Sequence, residues 1–346
     1  MRTVETILVL GAGASQGFGL PLGSGLRNMI ADDLNIMFDE WGRSLESGSH
    51  EIVEALRLTV HQPDGRTGDI NRHRHAAVQI SGSMRLSGSI DEYIERHKED
   101  ALKVQCAKLA IAKAILQAER NSTIYADPRG DNDVFERAAD SWLAYMLRDL
   151  TRGLGKAALR SAFQNVTIVN FNYDRCVEHF CYHWFQRVYD LSESESADIC
   201  KSIKIYHPYG VLGPLHYQSP NTAVPYGGEI NARRLIEIAD RIKTYSEAVD
   251  EHPSFVGSDI TSTNRVAFLG FGFHQQNVDL LGAVSGPHVT MRCYATTQGV
   301  RPPRMELIRN HLVSAFNVET ANGFFFEALS GSCEDFWAEY GDVIVQ

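Results

Sequence analysis

Asn172 and Asp174 stand two residues apart behind a short apolar run, and His207 follows another. A carboxamide can hold a water or a sugar hydroxyl in a fixed orientation. An imidazole, with an ordinary pKa of about 6.5, can take or give a proton near neutrality. Asp174 suits either of two tasks: steadying the asparagine segment, or capping the helix that follows it. A fourth group precedes them, the turn Gly11-Ala12-Gly13-Ala14-Ser15 after the apolar run of residues 7–10. Glycine lets a backbone turn tightly and approach a phosphate, and a helix start behind it favours an anion. Residues 5–38 therefore read as a candidate nucleotide site.

These groups need a scaffold that brings them to one edge. Alternating strand and helix patterns predict a doubly wound, mostly parallel α/β sheet of the Rossmann-like kind. Strands are expected at residues 5–10, 166–170, 203–206, 265–269 and 289–294. Helices are expected at 24–38, 174–189, 231–249, 275–281 and 302–312. In such sheets ligands lie beyond the carboxyl ends of the strands. Four strand ends carry polar or glycine residues: Gly11 to Ser15, Asn170 to Asp174, His207 to Gly210, and Gly270-Phe271-Gly272-Phe273-His274, continuing to Asn277 and Asp279.

Between these strands, residues 40–160 read as all-helical. The predicted pieces are 51–60, a long helix over 90–120 and another over 133–150, separated by a polar loop over 61–89 in which residues 71–75 are a solvated basic stretch. The expected organisation is a nucleotide-binding domain of residues 1–38 and 161–346, with a smaller helical insertion domain at 39–160. The aromatic cluster Phe324, Phe325, Phe326, Phe336, Trp337 and Tyr340 reads as a core-packing helix pair or as an interaction face.

The net charge of −10 disfavours direct nucleic-acid binding. No apolar run approaches the roughly 20 residues a bilayer crossing needs, and the chain enters its first strand without a cationic leader. A cytoplasmic location is expected. The six cysteines form no CxxC pair, so no zinc is expected and the thiols read as buried small hydrophobes. The glycine turn has Gln16 where a dinucleotide fingerprint has its third glycine, and no acidic residue ends a second strand about 20 residues on, which disfavours a dehydrogenase.

The four segments together resemble the sirtuin superfamily. The turn at Gly11 with Gly19 and Pro21 is similar to its NAD-binding loop, and Phe171-Asn172-Tyr173-Asp174 to the segment bearing its catalytic asparagine. His207 with Gly210 resembles its histidine motif, although the family places glycine directly after histidine and here Pro208 and Tyr209 intervene. Gly270-Phe271-Gly272 resembles the segment touching the adenine-side ribose, and Ser89-Ile90-Asp91-Glu92-Tyr93 an opening found in the bacterial sirtuin-like branch. Deacylating members carry a zinc module of two cysteine pairs that this chain lacks. That pattern is similar to bacterial anti-phage effectors that deplete NAD.

The resemblance implies an NAD glycohydrolase releasing nicotinamide and ADP-ribose, with NAD as substrate. It implies Asn172 orienting water and a ribose hydroxyl, and His207 as general base. NAD would be bound by Gly11, Ala12, Gly13, Ala14, Ser15, Pro21, Asp174, Gly270, Phe271, Gly272 and Asn277, with Asp91 closing the site from the inserted helices. It also implies a homo-oligomer and a protein partner, such as a HerA-class ATPase or another defence component, with the isolated chain weakly active or active only when assembled. Segments 61–89 and 323–346 are the candidates for control. The alternatives are an NAD-dependent protein deacylase and a non-catalytic NAD- or ADP-ribose-binding module that regulates a partner complex.

Overall fold

The computed structural model describes residues 5–60, 68–126, 132–251, 263–282 and 288–345. The chain opens with strand β1 (Thr6–Leu10), whose five residues are all buried, and turns at Gly11 into the short helix α1 (Ala12–Gln16) and then α2 (Gly23–Asp33). A small antiparallel hairpin follows, β2 (Met37–Phe38) with β3 (Leu45–Ser47). Helices α3 (His50–Thr59), α4 (Asn71–Met84), α5 (Ile90–Arg96), α6 (Ala101–Asn121) and α7 (Trp142–Leu150) lead to strand β4 (Val166–Asn170). Then come α8 (Cys176–Val188), α9 (Glu193–Cys200), β5 (Lys204–Tyr206), α10 (Ala232–Ala239), α11 (Tyr245–Glu251) and β6 (Arg265–Leu269). The chain closes with α12 (Gln275–Gly282), β7 (Met291–Thr296), α13 (Pro302–Ala315), β8 (Phe324–Leu329) and α14 (Cys333–Val345).

Six strands form one parallel sheet in the order β5-β4-β1-β6-β7-β8. Numbered among themselves along the chain, these strands run 3-2-1-4-5-6, the order of doubly wound dinucleotide-binding sheets. The fold is Rossmann-like α/β, as expected. The order reverses between β1 and β6. There Leu10 pairs with Asn170 on one side and Leu269 on the other, so three strands end level and release their loops side by side.

Alternation along the strands divides the apolar residues between two layers. Ile7, Val9, Val169, Val266 and Phe268 pack under α2, α3, α4, α10, α12, α13 and most of α6. Leu8, Leu10, Ile168, Ala267 and Leu269 pack on the other face against α7, α8, α9 and α14. All six cysteines are buried and free, in keeping with their reading as small hydrophobes.

Several elements differ from expectation. The stretch read as a polar loop contains α4, with His73, Ala76, Ala77, Ile80 and Met84 buried along one side; residues 61–67 of that loop lie outside the described residues. Alanine and histidine make a weak hydrophobic stripe, so the periodicity is hard to see. The long helix over 90–120 breaks after Arg96, where Asp100 caps α6 by accepting the N–H groups of Leu102 and Lys103 at 3.2 Å each. The predicted helix at 231–249 divides into α10 and α11, and that at 133–150 into a 3₁₀ segment (Asn132–Ala138) and α7. The β2–β3 hairpin means that residues 40–160 are not wholly helical. The aromatic cluster is not a helix pair: Phe324, Phe325 and Phe326 form the edge strand β8, while Phe336 and Trp337 lie buried on α14. Among the described residues no helix is long and apolar enough to cross a membrane.

Candidate active site

The loops released at the β1/β6 reversal are locked together by their backbones. Gly11 N–H donates to Leu269 O at 3.0 Å and Gly13 N–H to Gly270 O at 2.9 Å. A Cβ at Gly13 would sit 2.6 Å from Gly270 Cα, and one at Gly270 would sit 2.1 Å from Ala14 N. Gly270 also has φ +57, a conformation that side chains disfavour. The glycines therefore let two loops touch, and the N–H groups of Gly11 and Gly13, read from sequence as approaching a phosphate, are donated to the neighbouring loop.

Above this contact opens a cleft of about 1380 Å³. That exceeds the roughly 300–1,000 Å³ of ordinary small-molecule pockets, so an extended ligand fits. Of the residues singled out from sequence, Gly11, Ala12, Gly13, Pro21, Asn172 and Asp174 lie on its wall, and so do Gly270, Phe271, Gly272 and Asn277. Asp91 reaches the same wall from the first turn of α5. Ala14, Ser15 and His207 do not line it. Ala14 is in the core, its carbonyl accepting the Trp142 indole N–H at 2.7 Å.

Asn172 is held by both ends of its segment. Its backbone N–H donates to Asn170 Oδ1 at 3.1 Å. Its side-chain Nδ2 donates to Gly11 O at 2.9 Å and Ser15 Oγ at 3.2 Å. Both amide protons are thereby engaged, and Oδ1 makes no hydrogen bond among the described residues, so the side chain presents an acceptor to the cleft it lines. Ser15 Oγ donates in turn to Asp174 Oδ1 at 3.1 Å, which also accepts Cys176 N–H at 3.1 Å at the start of α8. Asp174 thus ties the Asn172–Ser15 pair to the first N–H of α8. Burial raises its carboxyl pKa, and the Cys176 and Ser15 hydrogen bonds oppose that rise.

His207 stands behind Asn172. Its Nδ1 lies 3.0 Å from Asn172 O and its Nε2 2.8 Å from Glu178 Oε1. A carbonyl oxygen only accepts, so Nδ1 carries a proton, and against a Glu178 carboxylate Nε2 is assigned one as well, which makes the ring an imidazolium. Burial works against that cation, but the Glu178 carboxylate and the hydrogen bond to Asn172 O outweigh it, and the His207 pKa is raised. An imidazole with both nitrogens donating has no lone pair with which to accept a proton. The neighbouring Tyr209 reaches forward instead, its hydroxyl donating to Asn277 Oδ1 on the wall at 2.7 Å.

The segment is also anchored from below. Arg175, 1% exposed, pairs with the equally buried Glu119 of α6 at 2.5 Å and donates to the carbonyls of Gly213 and Pro225 at 3.2 and 3.1 Å. Gly227 N–H completes the Glu119 carboxylate at 3.0 Å.

Sequence reasoning missed part of the cleft lining: Thr296 and Thr297 at the end of β7, Arg304 of α13, and Ser332 and Glu334 where α14 begins. The signal was present at Thr296, whose hydroxyl accepts Gly270 N–H at 2.7 Å, but the predicted strand stopped two residues short of it. The wall is acidic, with Asp91, Glu92, Asp174, Asp279 and Glu334 against Arg304 among the described residues. No cluster of three or more His, Cys, Asp or Glu side chains arranged to hold a metal occurs among the described residues.

No protein-family model matches the chain, and a search of curated proteins gives no significant match.

Proposed function

We propose that the cleft takes NAD as substrate and hydrolyses its nicotinamide–ribose bond, giving nicotinamide and ADP-ribose. The observation that carries this reading is Asn172: a carboxamide fixed at the strand-order reversal, both N–H groups engaged, its oxygen facing the cleft. A held acceptor of this kind orients a water or a ribose hydroxyl without reorganising during reaction. Cleavage of a pyridinium glycoside develops positive charge on the ribose, as in other glycosyl transfers. The acidic wall favours both the cationic nicotinamide ring and that charge, while Arg304, whose guanidinium donates to Gly272 O at 3.2 Å, supplies a cation on the same lining for the diphosphate.

Asn172 in this scheme is the catalytic residue. His207 is a positioning residue, holding the Asn172 carbonyl while Glu178 holds it, in place of the general-base role expected from sequence. A setting in cytoplasmic anti-phage defence, an oligomeric assembly and a partner such as a HerA-class ATPase rest on the sirtuin resemblance. The test is chromatography of nucleotides after mixing the protein with NAD alone, and again with candidate partners. Nicotinamide and ADP-ribose formed without any acyl-lysine peptide support hydrolysis over deacylation. A second reading, an NAD-binding module without turnover, is favoured by the engaged state of His207; tight binding with NAD left intact selects it.

A further inference from the structure

The scheme above leaves the proton of the attacking water without an acceptor, because both His207 ring nitrogens are taken up by Asn172 O and Glu178 and the ring does not line the cleft. We propose that Asp91, held by the Tyr173 phenol, is the base that accepts it. This rests on the NAD reading and adds a second catalytic residue to it.

The candidates are the five carboxylates on the cleft wall, and each has a partner. Asp174 Oδ1 accepts from Ser15 and Cys176 N–H. Glu92 pairs with Arg96 at 2.5 Å, Asp279 lies 2.7 Å from the His311 ring, and Glu334 accepts Trp142 N–H at 3.4 Å. Asp91 differs in where its partner stands: the hydroxyl of Tyr173, the residue after Asn172, donates to Oδ1. Its Oδ2 bonds no other residue among the described ones. Tyr173 directly follows Asn172, so the residue orienting the water and the residue receiving its proton are tied through adjacent positions of one backbone. The contact joins α5 to the segment that follows β4.

Burial raises the Asp91 carboxyl pKa, with the Tyr173 hydrogen bond pulling the other way. A carboxylate so placed is a stronger base than a solvated one. The step balances. The water oxygen bonds to the ribose C1′ as the C1′–N bond breaks, and that electron pair neutralises the pyridinium nitrogen. The water proton passes to Asp91 Oδ2 and then to solvent, leaving neutral nicotinamide and ADP-ribose.

The test compares NAD binding and nicotinamide release for the parent, Asp91→Asn, Asp91→Ala and Tyr173→Phe. Asp91→Asn is expected to bind NAD somewhat more weakly, since the wall loses one carboxylate, while kcat falls much further, by about 10²–10⁴-fold. Tyr173→Phe is expected to lower kcat with KM unchanged, and added formate to restore part of the activity of Asp91→Ala. Parental kcat in the folded Asp91 variants overturns the inference and leaves the NAD reading standing. So does a fall in kcat matched by an equal fall in affinity, or a bound, folded Asp91→Ala that formate does not help. If Asp91→Asn does not fold, Asp91→Ala and its formate response decide. A parent that leaves NAD intact overturns the reading and this inference together.

Discussion

The His207 ring bridges Asn172 and Glu178, 3.0 Å from the backbone carbonyl of one and 2.8 Å from the carboxylate of the other. An imidazole placed to support a neighbouring backbone does different work from one that faces a substrate. It makes the position of Asn172 depend on a buried ion pair, and so on pH.

The sign of that dependence follows from the raised His207 pKa. The pair stabilises the fold fully below the ordinary histidine pKa of about 6.5, and the contribution fades as pH rises through the higher folded value. The gap in urea midpoint between the parent and Glu178→Gln is therefore expected to be wide near about pH 6 and narrower near about pH 9. A gap that is constant with pH, or that widens on the alkaline side, contradicts the imidazolium assignment.

Arg175 and Glu119 form an ion pair with both side chains essentially inaccessible. Removing one partner strands a buried charge, so Arg175→Met is expected to cost about 3–5 kcal/mol in urea unfolding. The double variant Arg175→Met, Glu119→Leu is expected to recover much of that loss, because no charge is left unpaired. Equal losses in the single and double variants would show that the pair matters only through its packing.

Two glycine substitutions separate close approach from helix propensity. Gly270→Ala puts a Cβ 2.1 Å from Ala14 N at a positive φ, and is expected to destabilise by about 1–3 kcal/mol or more. Gly82→Ala meets nothing within 4 Å and lies exposed inside α4. It is expected to stabilise by about 0.5–1 kcal/mol if 71–84 is a helix, and to do little if that stretch is a loop. Thermal or urea unfolding of both variants reads the difference.

Much of the scaffold was legible because β1, β4 and β6 are short, β-branched or aliphatic runs buried on both faces, and their ends carry the polar groups. Residues 166–170 and 265–269 form strands over the span read from sequence. Their level ends, set by the pairing of Leu10 with Asn170 and Leu269, bring Gly11, Asn172 and Gly270 together. What local pattern could not carry is where a side chain points once the loop is built. His207 follows a strand as expected, yet Glu178 on α8 turns its ring away from the cleft. Helix α4 was hidden because its buried side rests partly on alanine and histidine, and β8 because an aromatic run such as Phe324 to Phe326 suits strand and helix alike. The Tyr173–Asp91 contact spans 82 positions, beyond any local signal.

The most direct measurement is the rate of nicotinamide release from NAD by the parent and by Asn172→Ala, side by side, with folding of both checked. Catalysis by the held carboxamide predicts release by the parent and a fall of at least about 100-fold in the variant. Equal rates in the two proteins would contradict it.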